Sequence, residues 1–314
     1  MPLAVGPAIS QMRGSSRDGF MQLALTLVGP DAQAALARLV PALAAARARV
    51  KEPRPLGPDA LDLSVEAEDL HTVRHAAKAV LDDLALDHCL QPWNGRRKQL
   101  LIADMDSTII GCECLDELAD FAGVKAEVSA ITERAMRGEL TFEPALRERV
   151  AMLKGLPEAD LQLCYDQRVR LNPGARTFVR TMAAGGARCL LVSGGFSFFT
   201  SRVAQAAGFH EERANTLAVV GGRLTGVVGE PILGREAKLA ALQGEAARLG
   251  LDLAQTLAIG DGANDLAMID AAGLGLAYRA KPIVAAEADA KIDHADLTAA
   301  LFFQGYAAAD FVTD

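Results

Sequence analysis

No hydrophobic run in the chain approaches the roughly 18–20 residues that a membrane-spanning helix needs. Met1 to Arg17 lack the basic start and apolar stretch of a secretory signal, so a cytoplasmic location is expected. An excess of cations is missing as well. Against 40 Asp and Glu stand 32 Lys and Arg, a net charge of −8. That balance argues against a nucleic-acid partner, which needs a basic face. It leaves open phosphorylated small molecules, which local donors and a metal can hold. The five cysteines form no zinc pattern: Cys112 and Cys114 are one residue apart, and Cys89, Cys164 and Cys189 stand alone. Reduced thiols are therefore expected. The five histidines are scattered too, and His71 and His75, on one helix face, have no third ligand near them in sequence.

What is present is a hydrophobic half, 51% of 314 residues, enough for a packed core and for one large or two moderate domains. Residues 1–18 are polar and contain Gly, Ser and Pro, which reads as a loose leader. Residues 19–92 read as a small α+β unit without a catalytic cluster. Phe20–Val28 and Ala60–Val65 alternate as strands do, and Ala32–Ala48 and Leu70–Leu84 have helical period. Pro53, Pro55, Gly57 and Pro58 break its middle. Residues 93–98 read as a turn-forming, then basic, linker.

From residue 99 to 314 strands alternate with helices. The strand candidates are Leu100–Asp104, Cys189–Ser193, Thr256–Gly260 and Leu274–Tyr278; the clearest helices are Arg176–Ala184, Phe198–Ala207 and Glu236–Leu249. Such alternation predicts an α/β fold with a doubly wound parallel sheet. Between about 112 and 171 the strands vanish. Val128–Arg137, Phe142–Lys154 and Glu158–Arg168 read as a helical cap inserted over the strand ends.

Four segments carry chemistry. The run Leu100-Leu101-Ile102-Ala103 ends in Asp104-Met105-Asp106-Ser107-Thr108, two carboxylates two residues apart where a strand gives way to a loop. Ligand sites of open α/β sheets gather there. Next come Leu191-Val192-Ser193-Gly194-Gly195-Phe196, then Lys238 on a helix, then Gly260-Asp261-Gly262-Ala263-Asn264-Asp265 leaving another apolar strand. Each alone is ordinary: a Gly-Asp-Gly is usually a turn, and a helical Lys is usually solvated. Their order on successive strand ends of one sheet is not.

That order and spacing resembles the haloacid dehalogenase superfamily of aspartate-nucleophile phosphohydrolases, over residues 99 to about 310. In detail it looks like the phosphoserine phosphatase branch. Glu113, Leu140-Thr141-Phe142 and Leu146-Arg147-Glu148-Arg149-Val150 match that branch's cap. The resemblance implies hydrolysis of O-phosphoserine to serine and phosphate, the last step of serine synthesis. Asp104 would be the nucleophile and Asp106 the acid/base. Mg2+ would be held by Asp104, Asp261 and the main-chain carbonyl of Asp106, with Thr108 and Asp265 in support. Ser193, Gly194, Lys238 and Asn264 would hold the phosphate. Glu113 would meet the substrate ammonium and Arg149 its carboxylate, with Met136 and Phe142 as apolar walls. Arg147 is the rival of Arg149, about 200° round the helix. Lys281 would border the site, and His294 would be a surface or packing residue, not a catalytic one. An ionised carboxylate nucleophile needs no activating base, which suits the lack of a nearby histidine. The first unit loosely resembles ACT-like βαββαβ regulatory domains, implying an amino-acid effector or a homodimer. The rivals are the same core acting on another phosphomonoester, phosphotransfer to an alcohol such as homoserine, and an amino-acid sensor with an inactive core.

Overall fold

The computed structural model describes residues 20–137 and 139–313, so the expected leader at 1–18 lies outside the described residues, as does the side chain of Met136. The chain divides into two compact units. The first runs to Arg97 and takes in Phe302–Ala309; the second comprises Lys98–Leu301 and Asp310–Asp314.

The first unit holds β1 (Met21–Val28), α1 (Ala32–Ala45), β2 (Arg49–Val50), β3 (Arg54–Gly57), β4 (Ala60–Ala67), α2 (Leu70–Leu81) and β5 (Asp87–Pro92). The sheet is antiparallel, in the order β2-β4-β1-β5, with β3 also paired to β4. The sequence predicts β1 and β4. The Pro-rich middle hides β2 and β3, which are short and largely exposed. Leu23, Leu25 and Leu27 alternate onto one face of β1, where they pack in one core with Leu39, Leu43 and Val73 of the two helices. The opposite face carries a buried charge. Asp62 accepts from Thr26 Oγ1 at 3.0 Å and from both terminal nitrogens of Arg96, at 2.8 and 2.6 Å. The Arg96 guanidinium lies 4.4 Å from the Trp93 ring centroid. On another side Gly305 approaches so closely that a Cβ there would stand 2.6 Å from Nη2. Of the residues read from sequence as linker, Arg96 is thus partnered and buried.

The second unit holds β6 (Leu100–Ala103), α3 (Cys114–Phe121), α4 (Lys125–Met136), α5 (Phe142–Ala151), α6 (Ala159–Arg168), α7 (Ala175–Ala184), β7 (Arg188–Phe196), α8 (Ser197–Ala207), β8 (Glu211–Asn215), β9 (Leu217–Val220), β10 (Arg223–Val228), α9 (Arg235–Leu249), β11 (Thr256–Gly260), α10 (Leu266–Ala271), β12 (Leu274–Tyr278), α11 (Pro282–Glu287) and β13 (Ala290–Ile292). Six strands form a parallel sheet in the order β13-β12-β11-β6-β7-β8. All four residues of β6 are fully buried, which is why its sequence is a continuous apolar run rather than an alternation. The chain leaves β6 toward β7 and β8 on one side and later fills the other side with β11, β12 and β13. The order therefore reverses at β6, and the crevice of a doubly wound sheet opens beyond the carboxyl end of that strand.

The helices α3 to α6 follow β6, and the cap has a part the sequence reading missed. The hairpin of β9 and β10 hydrogen-bonds to the turn between α5 and α6. Gly155 N–H donates to Leu224 O at 2.8 Å, Leu224 N–H to Leu156 O at 2.9 Å and Glu158 N–H to Gly222 O at 2.9 Å. Among the described residues no helix is long and apolar enough to cross a membrane.

Candidate active site

The site grows out of the end of β6. Asp104 and Asp106 keep extended backbone angles, φ −71° and −67°, so their side chains emerge on one side of the chain. The turn comes one residue later, at Ser107, whose φ is +57°. A non-glycine residue in that region is uncommon and marks a constraint. Ser107 Oγ donates to Glu113 Oε1 at 2.6 Å, so the turn fixes an acidic side chain at the entry to α3.

Asp104 is 5% exposed, and its Oδ1 accepts from Lys238 Nζ at 2.5 Å. The same ammonium reaches Asp265 Oδ1 at 2.5 Å. The other oxygen of Asp265 accepts the backbone N–H groups of Asp261 and Gly262, at 3.2 and 3.1 Å. Gly260 must be glycine for this: a Cβ there would stand 2.4 Å from the Asp265 carboxylate. Thr108 Oγ1 donates to Asp261 Oδ1 at 3.4 Å, and Asn172 holds the Thr108 carbonyl at 2.8 Å. Asp106 Oδ1 accepts the Cys114 N–H at 2.9 Å, and its Oδ2 lies 3.4 Å from Ser193 Oγ.

Burial sets the electrostatics. It raises the Asp104 pKa to about 7 against the pull of Lys238, and that of Asp106 to about 6 with Asp104 adding to the effect. Asp261 is pushed up to about 9 by burial and then by Asp104 and Asp265. Glu113 rises to about 8 through burial and then Asp106. Burial opposes the Lys238 charge, yet Asp104 and Asp265 outweigh it and hold its pKa above the ordinary lysine value. The pocket therefore contains more buried carboxylate than its own lysine neutralises.

That excess is what a hard divalent cation would offset. Ligand oxygens of Asp104, Asp261 and Asp265 lie within 4.8 Å of one another. The two oxygens of Asp265 are already engaged by Lys238 and by two N–H groups, whereas among the described residues the Asp261 carboxylate has only the long contact from Thr108. Asp104 and Asp261 would thus be the better placed to ligate such a cation, with Asp265 bracing the cluster.

A cavity of about 450 Å³ opens over these groups. Asp104, Asp106, Ser193, Gly194, Asp261 and Asn264 line it from the sheet, and Glu113, Phe142 and Arg149 from the cap. Lys238, Asp265 and Thr108 stand behind this lining, buried. The Phe142 ring presses on Gly194 so closely that a Cβ there would sit 2.8 Å from it. Arg149 is buried and faces the cavity, while Arg147 is exposed and pairs with Glu230 at 2.6 Å. The Lys281 backbone N–H donates to Asp261 O at 3.0 Å, which brings its loop to the edge of the site. Polar residues at or beside the cavity that the sequence reading does not select are Ser107, Asp116, Thr132, Glu139 and Arg235. Only the first has a local signal, its place in the Asp-x-Asp-Ser run.

Residues 101–270 match the haloacid dehalogenase-like hydrolase family. The chain belongs to this family. Among haloacid dehalogenase-like relatives, a phosphoserine phosphatase of Streptococcus thermophilus is 48% identical over 200 residues, 64% of this chain and 93% of that protein. A solved HAD family hydrolase from Salmonella enterica serovar Typhi superposes with a TM-score of 0.79 at 28% identity, over 90% of this chain and 98% of that one. A phospho-aspartyl intermediate analogue of phosphoserine phosphatase superposes with a TM-score of 0.63 at 39% identity, covering 66% of this chain and 98% of that one.

Proposed function

We propose that this chain hydrolyses O-phosphoserine to serine and phosphate through an aspartyl-phosphate on Asp104, as the last step of serine synthesis in the cytoplasm. The observation that carries the substrate is the pairing of Glu113 and Arg149 in the cavity that holds Asp104. One acidic and one basic group over a phosphoryl site suit an amino acid with an ammonium and a carboxylate, and Arg is matched to a carboxylate by its planar fork. The similarity to phosphoserine phosphatases supports the same reading.

The chain's own groups account for the proton and charge movements. Asp104 Oδ attacks phosphorus in line with the departing serine oxygen, and a phosphorus–oxygen bond forms as the ester bond breaks. Asp106 delivers its proton to that oxygen, a role suited to a carboxyl whose pKa burial has raised. It then takes a proton from the water that opens the acyl-phosphate. Ser193 Oγ and the Gly194 N–H hold phosphate oxygens, Asn264 orients them, and Lys238 offsets charge shared between phosphate and Asp104. Phe142 over Gly194 excludes water from this end of the cavity. The carboxylates of Asp104 and Asp261 and the main-chain carbonyl of Asp106 would hold Mg2+, which supplies neutralisation of the phosphate charge.

A turnover panel of phosphoserine, phosphothreonine and an aryl phosphate, with and without an alcohol acceptor, tests the assignment. Phosphoserine should have the highest kcat/KM, with water as the acceptor. Arg149→Ala should raise the phosphoserine KM about tenfold to a hundredfold, the size of a lost charge-assisted contact, and leave the aryl phosphate KM near its starting value. Equal effects on both substrates would remove Arg149 from recognition. Excess chelator should stop turnover and added Mg2+ restore it; turnover surviving in chelator would contradict the metal ligands named here.

A further inference from the structure

Arg149 enters the cavity with part of its fork already tied down. Nε donates to Ala145 O one turn back on α5, at 3.1 Å, and Nη1 donates to Thr132 Oγ1 at 2.9 Å. Thr132 stands on α4 and is 4% exposed. Its hydroxyl lies 2.6 Å from Asp116 Oδ1 on α3 and 3.1 Å from Val128 O. A hydroxyl has one proton to give. The shorter contact, to a carboxylate oxygen, is the stronger, so that proton goes to Asp116. This turns a lone pair of the hydroxyl toward Nη1. Each of three cap helices thus contributes one member to a chain of contacts that ends on Arg149. Burial depresses the Arg149 pKa, and of the charges that counter this Asp116 ranks ahead of Glu113 and Asp106. No step of the reaction described above uses Asp116 or Thr132. No hydrogen bond from Nη2 is found among the described residues.

We propose that Asp116 and Thr132 are positioning residues that hold the Arg149 guanidinium in the plane required to recognise the substrate carboxylate. The proposal rests on the reading of Arg149 given above. A guanidinium is planar and rigid, so fixing Nε and Nη1 fixes the direction of every remaining N–H. Asp116 sets the proton of Thr132, Thr132 sets the plane of Arg149, and the plane selects a carboxylate at one distance and angle.

The test compares Thr132→Val, which keeps the shape and removes the hydroxyl, with Thr132→Ser, which keeps the hydroxyl. Thr132→Val should raise the phosphoserine KM about tenfold, one charge-assisted hydrogen bond, with kcat within about twofold of the parent. The KM for p-nitrophenyl phosphate, which has no carboxylate, should not move. Thr132→Ser should behave as the parent. In an Arg149→Ala background Thr132→Val should add nothing, because the group it positions is gone. Equal effects of Val and Ser, a parallel rise for the aryl phosphate, or full additivity with Arg149→Ala would each overturn the proposal. If Thr132→Val does not fold, Asp116→Asn replaces it: the same split between substrates supports the relay, and an unchanged phosphoserine KM refutes it. The Arg149→Ala control separates the two readings. A KM unmoved by Arg149→Ala refutes carboxylate recognition itself; a KM moved by Arg149→Ala but not by Thr132→Val or Asp116→Asn refutes only the relay.

Discussion

Asp104→Asn is expected to lower phosphoserine turnover by about four orders of magnitude or more, the scale seen when a nucleophile that acts with its partners as a unit is removed. An amide oxygen is neutral and does not form a stable ester with phosphorus. The replacement should be gentle on the fold. Asn Oδ1 can still accept from Lys238, and Lys238 keeps its second carboxylate, Asp265. A melting temperature close to the parent's is therefore expected. Acid quenching with labelled phosphoserine should trap a phosphoprotein in the parent and none in the variant. Turnover within tenfold of the parent would place the nucleophile elsewhere.

Lys238→Met should damage both chemistry and stability. The ammonium is 3% exposed and bridges two carboxylates, one of them fully buried. Removing one partner from such a group strands the others, at a cost of about 3–5 kcal/mol. Turnover should fall by roughly a hundredfold to a thousandfold, the range for one lost electrostatic contact to the transition state. The stability deficit should depend on pH. In the metal-free parent, Asp104 and Asp261 already ionise above the ordinary carboxylate range. The folded chain thus keeps protons that the unfolded chain has released, and stability falls as pH rises from the ordinary carboxylate range to about 7 for Asp104 and about 9 for Asp261. Without Lys238 more protons are retained and the fall steepens. Denaturant titrations in chelator, from about pH 5 to about pH 8, should show the variant's deficit widening with pH. A deficit that narrows would mean that the lysine does not offset these carboxylates.

Much of the second unit is legible in sequence because its inner strands are buried on both faces. The strands β6, β7, β11 and β12 read as apolar runs for that reason. The edges do not. The strand β8 is Glu211-Glu212-Arg213-Ala214-Asn215, and its charges are satisfied by Arg188, Glu245 and Thr200, not by a core. The strand β13 has three residues, one of them exposed. The hairpin does carry a sequence signal: Gly221-Gly222 between two apolar stretches, both with positive φ, is hairpin chemistry. In the site, residues one or two apart in a motif are recoverable from spacing. Asp116, Thr132 and Arg149 come from three helices, and only packing brings them together. Likewise nothing in the periodicity of Phe302–Ala309 announces that it belongs with the first unit.

The hairpin also bears on how this enzyme could be recombined with others. The cap is not one contiguous insert but two, 112–171 and 217–228, sewn together by backbone hydrogen bonds at Gly155, Leu224 and Glu158. A chimaera that exchanged the first stretch alone would have to match those three bonds to a foreign hairpin. The cap of this chain is therefore a pair of segments, and a transplant must carry both.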